Sequence, residues 1–575
     1  MTFSAKNGKK IVIVGGVAGG ASAAARARRL DEKSTITLIQ SGPDVSYASC
    51  GMPYYIGHEI VDRSVMSVQT PESLRQRFNI DVIVNTRVFK IEPNHKLVKA
   101  KNELTGEESA YEYDELILAL GAEPLEPPIP GIHHPSLFKL RTLQDMDHIS
   151  SWIDDKNVKH CVVAGAGFVG LEMVEQLVKR NVKVTLVELA DQILGPLDPE
   201  MAVVLQRELE KNGVEIILKD GIKEFIAKGD ERSGTVVQLQ SGRKLPIAEM
   251  TILGLGVRPD TAVAKDAGIN VSSRGHIIVD DQLRTSIDHI WAVGDSVLVR
   301  NPILSREVDE YWAVTLAGPA NRQGRMVPDI IYGKNRRYKG TYGASVIRIF
   351  GYIAACVGVN EKMLRSKNIP FSVVHVHPNQ HAGYYPGAKS INLKLIFDPK
   401  DGHIFGGSAV GEDGVEKRID IISTAIQGGM TVHDLADLEL CYAPPVGSAK
   451  DPINIAGMAA QNEVDGLVKQ IDWKELKELE EHPSKEVMVI DVRNPSEISK
   501  GKLIPNAINI PLNSLRERLN EIPHDKEIVV SCMSGQRSYY AYRILVENGY
   551  DKVRNLSGAY KTYQSTKVQN QQPSQ

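Results

Sequence analysis

The sequence predicts an α/β protein built from two doubly wound nucleotide-binding domains, an α+β domain and a C-terminal α/β domain. Three observations predict it. First, a block of strand, glycine-rich turn, helix and strand occurs twice. It runs as "KKIVIVGGVAGGASAAARARRL" (9–30) with "STITLIQ" (34–40), and as "KHCVVAGAGFVGLEMVEQLVKR" (159–180) with "VKVTLVE" (182–188). A βαβ unit of this kind is the core of a doubly wound sheet. Second, strands suited to the first unit return late, in "DELILALGAEP" (114–124) and "HIWAVGDSV" (289–297), so the second unit interrupts the first. Third, the texture changes near 330 to strands joined by turns, and a fresh α/β pattern opens near 472.

At 575 residues the chain exceeds what one core organises, and several domains are expected. Their bounds are drawn at 1–125 with 255–330, then 126–254, 331–460 and 461–575. A net charge of −3 gives no strong field that would draw nucleic acid or an anionic membrane, and neither is expected as a partner. The five cysteines (50, 161, 356, 441, 532) are scattered and odd in number. That pattern speaks against a disulfide framework and for a reducing, cytoplasmic setting. Lys9 and Lys10 before an apolar run superficially resemble a secretory signal, but four glycines interrupt the run and "RARRL" follows at once. No run of 18 apolar residues is present, so no membrane span is expected.

In the second glycine turn, "GAGFVG" places Gly165, Gly167 and Gly170 at the G-x-G-x-x-G spacing. These glycines permit a tight turn, close approach of a pyrophosphate and packing of helix on strand, with phosphates at the helix N-terminus. Glu188 lies 23 residues after Gly165, at the end of the next strand, and no Lys or Arg occurs between it and Arg207. A carboxylate there accepts from a ribose 2′-OH and repels a 2′-phosphate, which favours NADH over NADPH. The first turn, "GGVAGG", keeps Gly15 and Gly20 at the outer positions but has Val17 in the middle, and Gln40 stands where an acid is usual. Gln40 still offers a ribose a hydrogen bond, without the charge. Two dinucleotides suggest a flavin reductase, with FAD on the first unit and NADH on the second.

Between the first unit's strands lies "SYASCGMPYYIG" (46–57), with one cysteine, Cys50, among small residues. Past 330, "YKGTYGASVIRIFGYIAACVGV" and "SINLKLIFDPKDGHIFGGSAVG" read as strands, with Asp401-Gly402 as a turn, and "GVEKRIDIISTAIQGGMTVHDLADL" reads as helices. In "IDWKELKELEE", Asp472 and Glu475 form a capping box, and Trp473, Leu476 and Leu479 share a helix face. "IVVSCMSGQRSYYAYRIL" (528–545) predicts a strand ending at Cys532, a six-residue loop to Arg537 and a helix from about Ser538. Backbone N–H groups and a helix N-terminus around that sulfur favour a thiolate and then a persulfide anion. The tail "QSTKVQNQQPSQ" is polar and expected to be disordered.

With "LILALGAEP", "GLGVRPD" (254–260) and "AVGDSV" added to the two glycine turns, residues 10–330 resemble the flavoprotein disulfide reductase superfamily. The resemblance implies that Gly294 and Asp295 bond the flavin ribityl chain. "SYASCGMPYYIG" resembles the signature of the subgroup with a single redox cysteine, which puts Cys50 against the flavin. Its sulfur partner must then come from outside, as a thiol in a mixed disulfide, a sulfane sulfur in a persulfide or an oxygen in a sulfenic acid. Related NADH peroxidases carry a histidine in the first glycine turn, and this turn has none. The turn resembles that of the coenzyme A-disulfide reductases, in which CoA lies along the first helix and the cysteine loop. Matching positions are Arg26, Arg29, Ser46 and Ser49, with Arg322 of "GPANRQGR" for phosphate. Ser49 stands where that family often has asparagine.

"HAGYYPGA" and "CYAPPVGSAKDP" resemble motifs of the same family's dimerisation domain. Their Tyr384 and Tyr442 are expected to reach Cys50 of the other subunit of a homodimer, where a phenol bonds a thiolate or protonates a leaving sulfur. Cys161, Cys356 and Cys441 are taken as buried structural cysteines. The Cys532 loop, with "MVIDVR" (488–493) and "GKLIPNAINIPL" (501–512), resembles a rhodanese domain. Lys502 and Asn506 depart from it, where His and Gly are frequent. A phosphatase loop has one more residue before its arginine.

Over 9–560 the chain resembles the coenzyme A-disulfide reductase–rhodanese fusions, also described as NADH-dependent persulfide or polysulfide reductases. The implied function is reduction of sulfane sulfur to sulfide through Cys50, fed by Cys532, with FAD, NADH and coenzyme A. The alternatives are CoA-disulfide reduction with an independent sulfurtransferase, a persulfide carrier or sensor, and an NADH oxidase.

Overall fold

The computed structural model describes residues 8–229, 234–308, 310–481, 487–498 and 503–566. The chain divides into two compact units, one of residues 1–191 and 213–341, the other of 192–212 and 342–575. Lys502 and residues 567–575 lie outside the described residues. The expected disorder of the tail fails at its start, because a helix runs Ala559–Ser565.

The first unit holds two parallel five-stranded sheets. In the first, the strand order is Ile290–Ala292, Glu115–Leu118, Lys10–Val14, Thr35–Ile39, Asp81–Ile83. The late strand Ile290–Ala292 pairs in parallel with Glu115–Leu118, so the chain leaves this sheet and returns to it. The second sheet has the order Glu215–Ile217, Lys183–Val187, His160–Ala164, Met250–Leu253, Leu137–Phe138. The central strands are buried on both faces, as parallel strands under helices must be, which is why they read as unbroken apolar runs. A three-residue turn separates each central strand from the helix that follows it, Ala18–Leu30 in the first sheet and Phe168–Lys179 in the second.

The second unit holds an antiparallel sheet and a parallel one. The antiparallel order is Ser345–Ile349, Tyr352–Gly358, Ile404–Gly411, Asn392–Phe397, Ser372–Val376. The edge strand Ser372–Val376 was not foreseen in the sequence. Helices Val415–Gly428 and Val432–Asp437 follow the sheet in the chain. The parallel order is Gln470–Ile471, Val553–Leu556, Glu527–Ser531, Val487–Asp491, Ile508–Asn509. The helix Trp473–Glu481 starts as expected, with the Asp472 carboxylate accepting from the Glu475 N–H at 2.7 Å and Trp473, Leu476 and Leu479 buried.

In this unit the ammonium of Lys394, fully buried, sits among Asp198 (2.8 Å), Glu200 (2.6 Å) and Glu361 (2.5 Å). Burial pulls its pKa down, but the three carboxylates outweigh that and hold it raised. A buried charge persists only when paired and hydrogen-bonded in this way.

Candidate active site

The two glycine turns are built alike. Gly15 and Gly165 hold φ of +95° and +100°, and a Cβ on either would lie 2.1 Å or 2.2 Å from the carbonyl of Ala119 or Gly254. No other residue fits those turns. Gly167 is different: a Cβ there meets nothing within 4 Å, so this face is open for a phosphate to approach the helix N-terminus.

The residue after the second strand closes each turn. The side-chain carbonyl of Gln40 accepts from the Gly16 N–H at 2.7 Å. Glu188 accepts from Ala166 N–H at 2.7 Å with one oxygen and from Ala190 N–H at 2.8 Å with the other. Each carboxylate oxygen keeps a lone pair for a ribose hydroxyl.

The residues fit a flavin at the first turn. Asp295 follows Gly294, whose N–H donates to Gln323 Oε1 at 2.7 Å. Burial raises the Asp295 carboxyl, against the pull of Arg141, and it has no hydrogen-bond partner among the described residues. A ribityl hydroxyl of a bound flavin would supply the donor this carboxylate lacks.

Cys50 lies in a tight helical turn, Ser49–Gly51, that leads into the short helix Met52–Ile56. The turn is tied to the first glycine loop through Ser46, whose N–H donates to Gly16 O at 2.8 Å and whose φ is +45°. It is tied to the second nucleotide unit through Arg180, which donates to Ile56 O at 2.8 Å, and through Tyr54, whose hydroxyl donates to Glu172 at 3.2 Å. Cys50 is exposed as a residue. Enough protein surrounds it that desolvation raises the thiol; a hydrogen bond with Ser49 opposes this, and Glu172 and Asp295 add to the rise. The thiolate therefore needs a stabilising neighbour beyond these residues.

Of the positions matched to CoA, Arg29, Ser49 and Arg322 are exposed. Arg26 is not free. Its guanidinium bonds the buried Asp329 at 2.8 Å and 2.5 Å, and the same carboxylate takes Lys334 at 3.2 Å and Arg336 at 3.1 Å. Nothing within the helix Ala18–Leu30 announces that pairing, because Asp329 is 303 residues away.

Tyr384 and Tyr442 come together, their hydroxyls 3.0 Å apart, and both side chains are exposed. That hydrogen bond raises the Tyr384 phenol. Buried Arg418 fixes their two loops, donating to Gln380 O at 2.7 Å and to Asp451 at 2.8 Å. The expectation for the remaining cysteines needs correcting. Cys161 is buried and its thiol is raised by desolvation, but Cys356 is only partly covered and Cys441, beside Tyr442, is exposed. Cys441 lies in a loop, outside any strand or helix.

Cys532 is 1% exposed and follows the strand Glu527–Ser531. The Gly535 N–H points at its sulfur from 3.2 Å. The helix begins at Gln536, two residues before the expected start, because Gly535 at φ +103° caps it. Arg537 therefore belongs to the helix, and its guanidinium makes a two-point bond to Glu497 at 2.7 Å and 2.8 Å. That bond, against a smaller cost of burial, holds the Glu497 carboxyl at about 2. A second pair, Arg493 with Asp491, is fully buried, and Arg493 stacks on the Tyr560 ring at 4.4 Å. Glu497 was not singled out in the sequence; its signal is an acid four residues after the "MVIDVR" motif, at a helix start.

Comparison with known proteins agrees with this geometry. Residues 9–320 match the family model of pyridine nucleotide-disulphide oxidoreductases, 346–451 that family's dimerisation domain, and 472–566 a rhodanese-like domain. A coenzyme A disulfide reductase of Staphylococcus aureus is 34% identical over 453 residues, 79% of this chain and all of that protein. The crystal structure of reduced Bacillus anthracis CoADR-RHD superposes with a TM-score of 0.93 at 45% identity, covering 97% of this chain and 98% of that one. An NAD-dependent persulfide reductase from A. fulgidus superposes with a TM-score of 0.87 at 34% identity, covering 96% of this chain and all of that one.

Proposed function

This chain belongs to the pyridine nucleotide-disulphide oxidoreductase family, as a coenzyme A disulfide reductase fused to a rhodanese domain, and on that premise we propose that it reduces sulfane sulfur to sulfide. It is a flavoprotein sulfur reductase using FAD, NADH and coenzyme A. The substrate read here is CoA persulfide or polysulfide. The observation that carries this reading is the presence, in one chain, of an accessible Cys50 and a loop that aims a backbone N–H at Cys532. The other cysteine of the first unit, Cys161, is fully buried in a central strand and is no partner for Cys50.

The Cys532 thiolate takes the terminal sulfur of a persulfide R–S–SH, giving Cys532–S–SH and the thiolate RS⁻. Coenzyme A thiolate takes that sulfur in turn, giving CoA persulfide and restoring Cys532. The Cys50 thiolate then takes it from CoA persulfide, giving Cys50–S–SH and CoA thiolate. The chemistry that bound FAD supplies is two electrons from NADH, which split Cys50–S–SH into the Cys50 thiolate and hydrosulfide.

Gly15, Gly20, Gln40, Gly294 and Asp295 are assigned to FAD, and Gly165, Gly167, Gly170 and Glu188 to NADH. Arg29, Ser46, Ser49 and Arg322 are assigned to CoA, with Arg26 acting through its pair with Asp329. The Tyr384–Tyr442 pair is assigned to the second subunit's Cys50 in a homodimer, protonating the departing sulfur. Arg537 orders the Cys532 loop through Glu497. The domain bounds of 1–125 with 255–330, 126–254, 331–460 and 461–575 go with these roles. Among the described residues no helix is long and apolar enough to cross a membrane.

A second reading is reduction of CoA disulfide itself, with the rhodanese-like domain working separately; the S. aureus relative, a coenzyme A disulfide reductase over its whole length, favours it. NADH oxidation followed with CoA persulfide, polysulfide, CoA disulfide, peroxide and oxygen separates the two. Sulfide release with the persulfides, several-fold faster than turnover of CoA disulfide, is expected. Turnover of CoA disulfide alone overturns the first reading.

A further inference from the structure

We propose that the dimerisation domain forms part of the sulfurtransferase site, with His375 and His377 as positioning residues that hold the C-terminal helix Ala559–Ser565 against the Cys532 loop. The proposal rests on the reading that Cys532 carries sulfane sulfur.

The helix braces the loop with its backbone. Tyr560 N–H donates to Cys532 O at 3.1 Å and Lys561 N–H to Met533 O at 3.0 Å. It is seven residues long, too short to hold its place without tertiary support. The support on its far side comes from the antiparallel sheet of the dimerisation domain. The His375 backbone N–H donates to Ser557 Oγ at 3.0 Å, and the His375 ring meets that oxygen through Nδ1 at 3.2 Å. His377 Nε2 meets Thr562 Oγ1 at 2.9 Å, and Lys561 Nζ donates to Ser390 Oγ at 3.0 Å.

Each ring is fixed from behind. His375 Nε2 faces Glu200 Oε1 at 3.0 Å, and Nδ1 faces Ser557 Oγ, so the ring is held between the two. Glu200 is itself held by Lys394, and Glu361 of the same cluster bonds Lys474 of the rhodanese-like domain at 2.8 Å. His377 Nδ1 faces Asn392 Oδ1 at 2.7 Å, which leaves Nε2 as the acceptor for Thr562. Burial above all, then the nearby Lys561 charge, pushes His377 down to about 3, so it remains a neutral acceptor near neutral pH. A scaffold outside the rhodanese-like domain thus sets the position of its loop.

The test uses the full-length holoprotein with Cys50→Ser and Cys441→Ser as the parent. Cys532 alkylation is read by peptide mass across pH, and sulfur loading from glutathione persulfide is read as the mass gained on Cys532. Thr562→Val is expected to move the alkylation profile to higher pH and to slow loading about tenfold, and Thr562→Ser to restore both. In the chain that keeps Cys50, Thr562→Val is expected to leave CoA-disulfide turnover within about twofold of the wild type. The proposal is overturned if Thr562→Val and His377→Gln match the parent. It is equally overturned if Thr562→Ser restores nothing, or if loading and CoA-disulfide turnover fall together. Should Thr562→Val not fold, Ser390→Ala, which removes the Lys561 partner, is read by the same outcomes. A parent that gains no sulfur on Cys532 refutes the sulfur-carrier reading instead, while the alkylation profile still reports the positioning.

Discussion

The Gly535 N–H lies 3.2 Å from the Cys532 sulfur, and the backbone that aims it has φ +103°, a conformation that favours glycine. Gly535→Ala is therefore expected to turn that N–H away. Sulfur loading at Cys532 should fall about tenfold or more, while NADH-dependent turnover of CoA disulfide persists. Mass analysis of Cys532 after exposure to a persulfide donor checks the first and NADH absorbance the second.

Glu497 is charged at about 2 and above, held there by Arg537. A carboxyl lowered on folding stabilises the fold fully above its ordinary value and loses that contribution as pH falls toward the lowered one. Glu497→Gln should cost about 1–2 kcal/mol at pH 7 and less at pH 4. Urea unfolding at the two pH values, followed by a probe in the rhodanese-like domain, measures the difference.

Glu463 behaves in the opposite sense. Burial raises its carboxyl to about 7, a Ser372 hydrogen bond offsets only part of that, and one of its oxygens has no partner. A carboxyl raised on folding destabilises the fold progressively as pH climbs from its ordinary value to the raised one. Glu463→Gln is expected to gain stability over that interval, on the order of 2 kcal/mol by pH 7.5, with little difference at pH 4.5. Thermal midpoints across pH show whether the gap opens.

Glu188 offers two fixed oxygens at the end of the second unit's strand. Glu188→Gln removes the charge that repels a 2′-phosphate. The preference for NADH over NADPH should fall about tenfold, chiefly through KM. Steady-state rates with both nucleotides test it, and an unchanged ratio places the discrimination elsewhere.

What the sequence made legible follows from how local each constraint is. Gly15 and Gly165 are recognisable because the glycine spacing is contiguous in the chain, although the carbonyls that exclude a side chain there, of Ala119 and Gly254, come from distant parts of it. Cys532 and its loop are likewise contiguous. The pairing of Arg26 with Asp329, of Arg537 with Glu497, and of Lys394 with residues 198, 200 and 361 is set by tertiary approach. Spacing along the chain holds no record of it. Cys441, taken as buried, is exposed, and nothing in the spacing along the chain marks that. The edge strand Ser372–Val376 was passed over, and with it the histidines that meet the C-terminal helix.

The central claim is that sulfide leaves through Cys50. The most direct measurement is sulfide production by the Cys50→Ser holoprotein given NADH and CoA persulfide, with flavin content and NADH-driven bleaching checked first. Loss of sulfide production with flavin bound and still bleached by NADH is the expected result. Sulfide released at the wild-type rate would contradict the account, because electrons would then reach the sulfur without the cysteine.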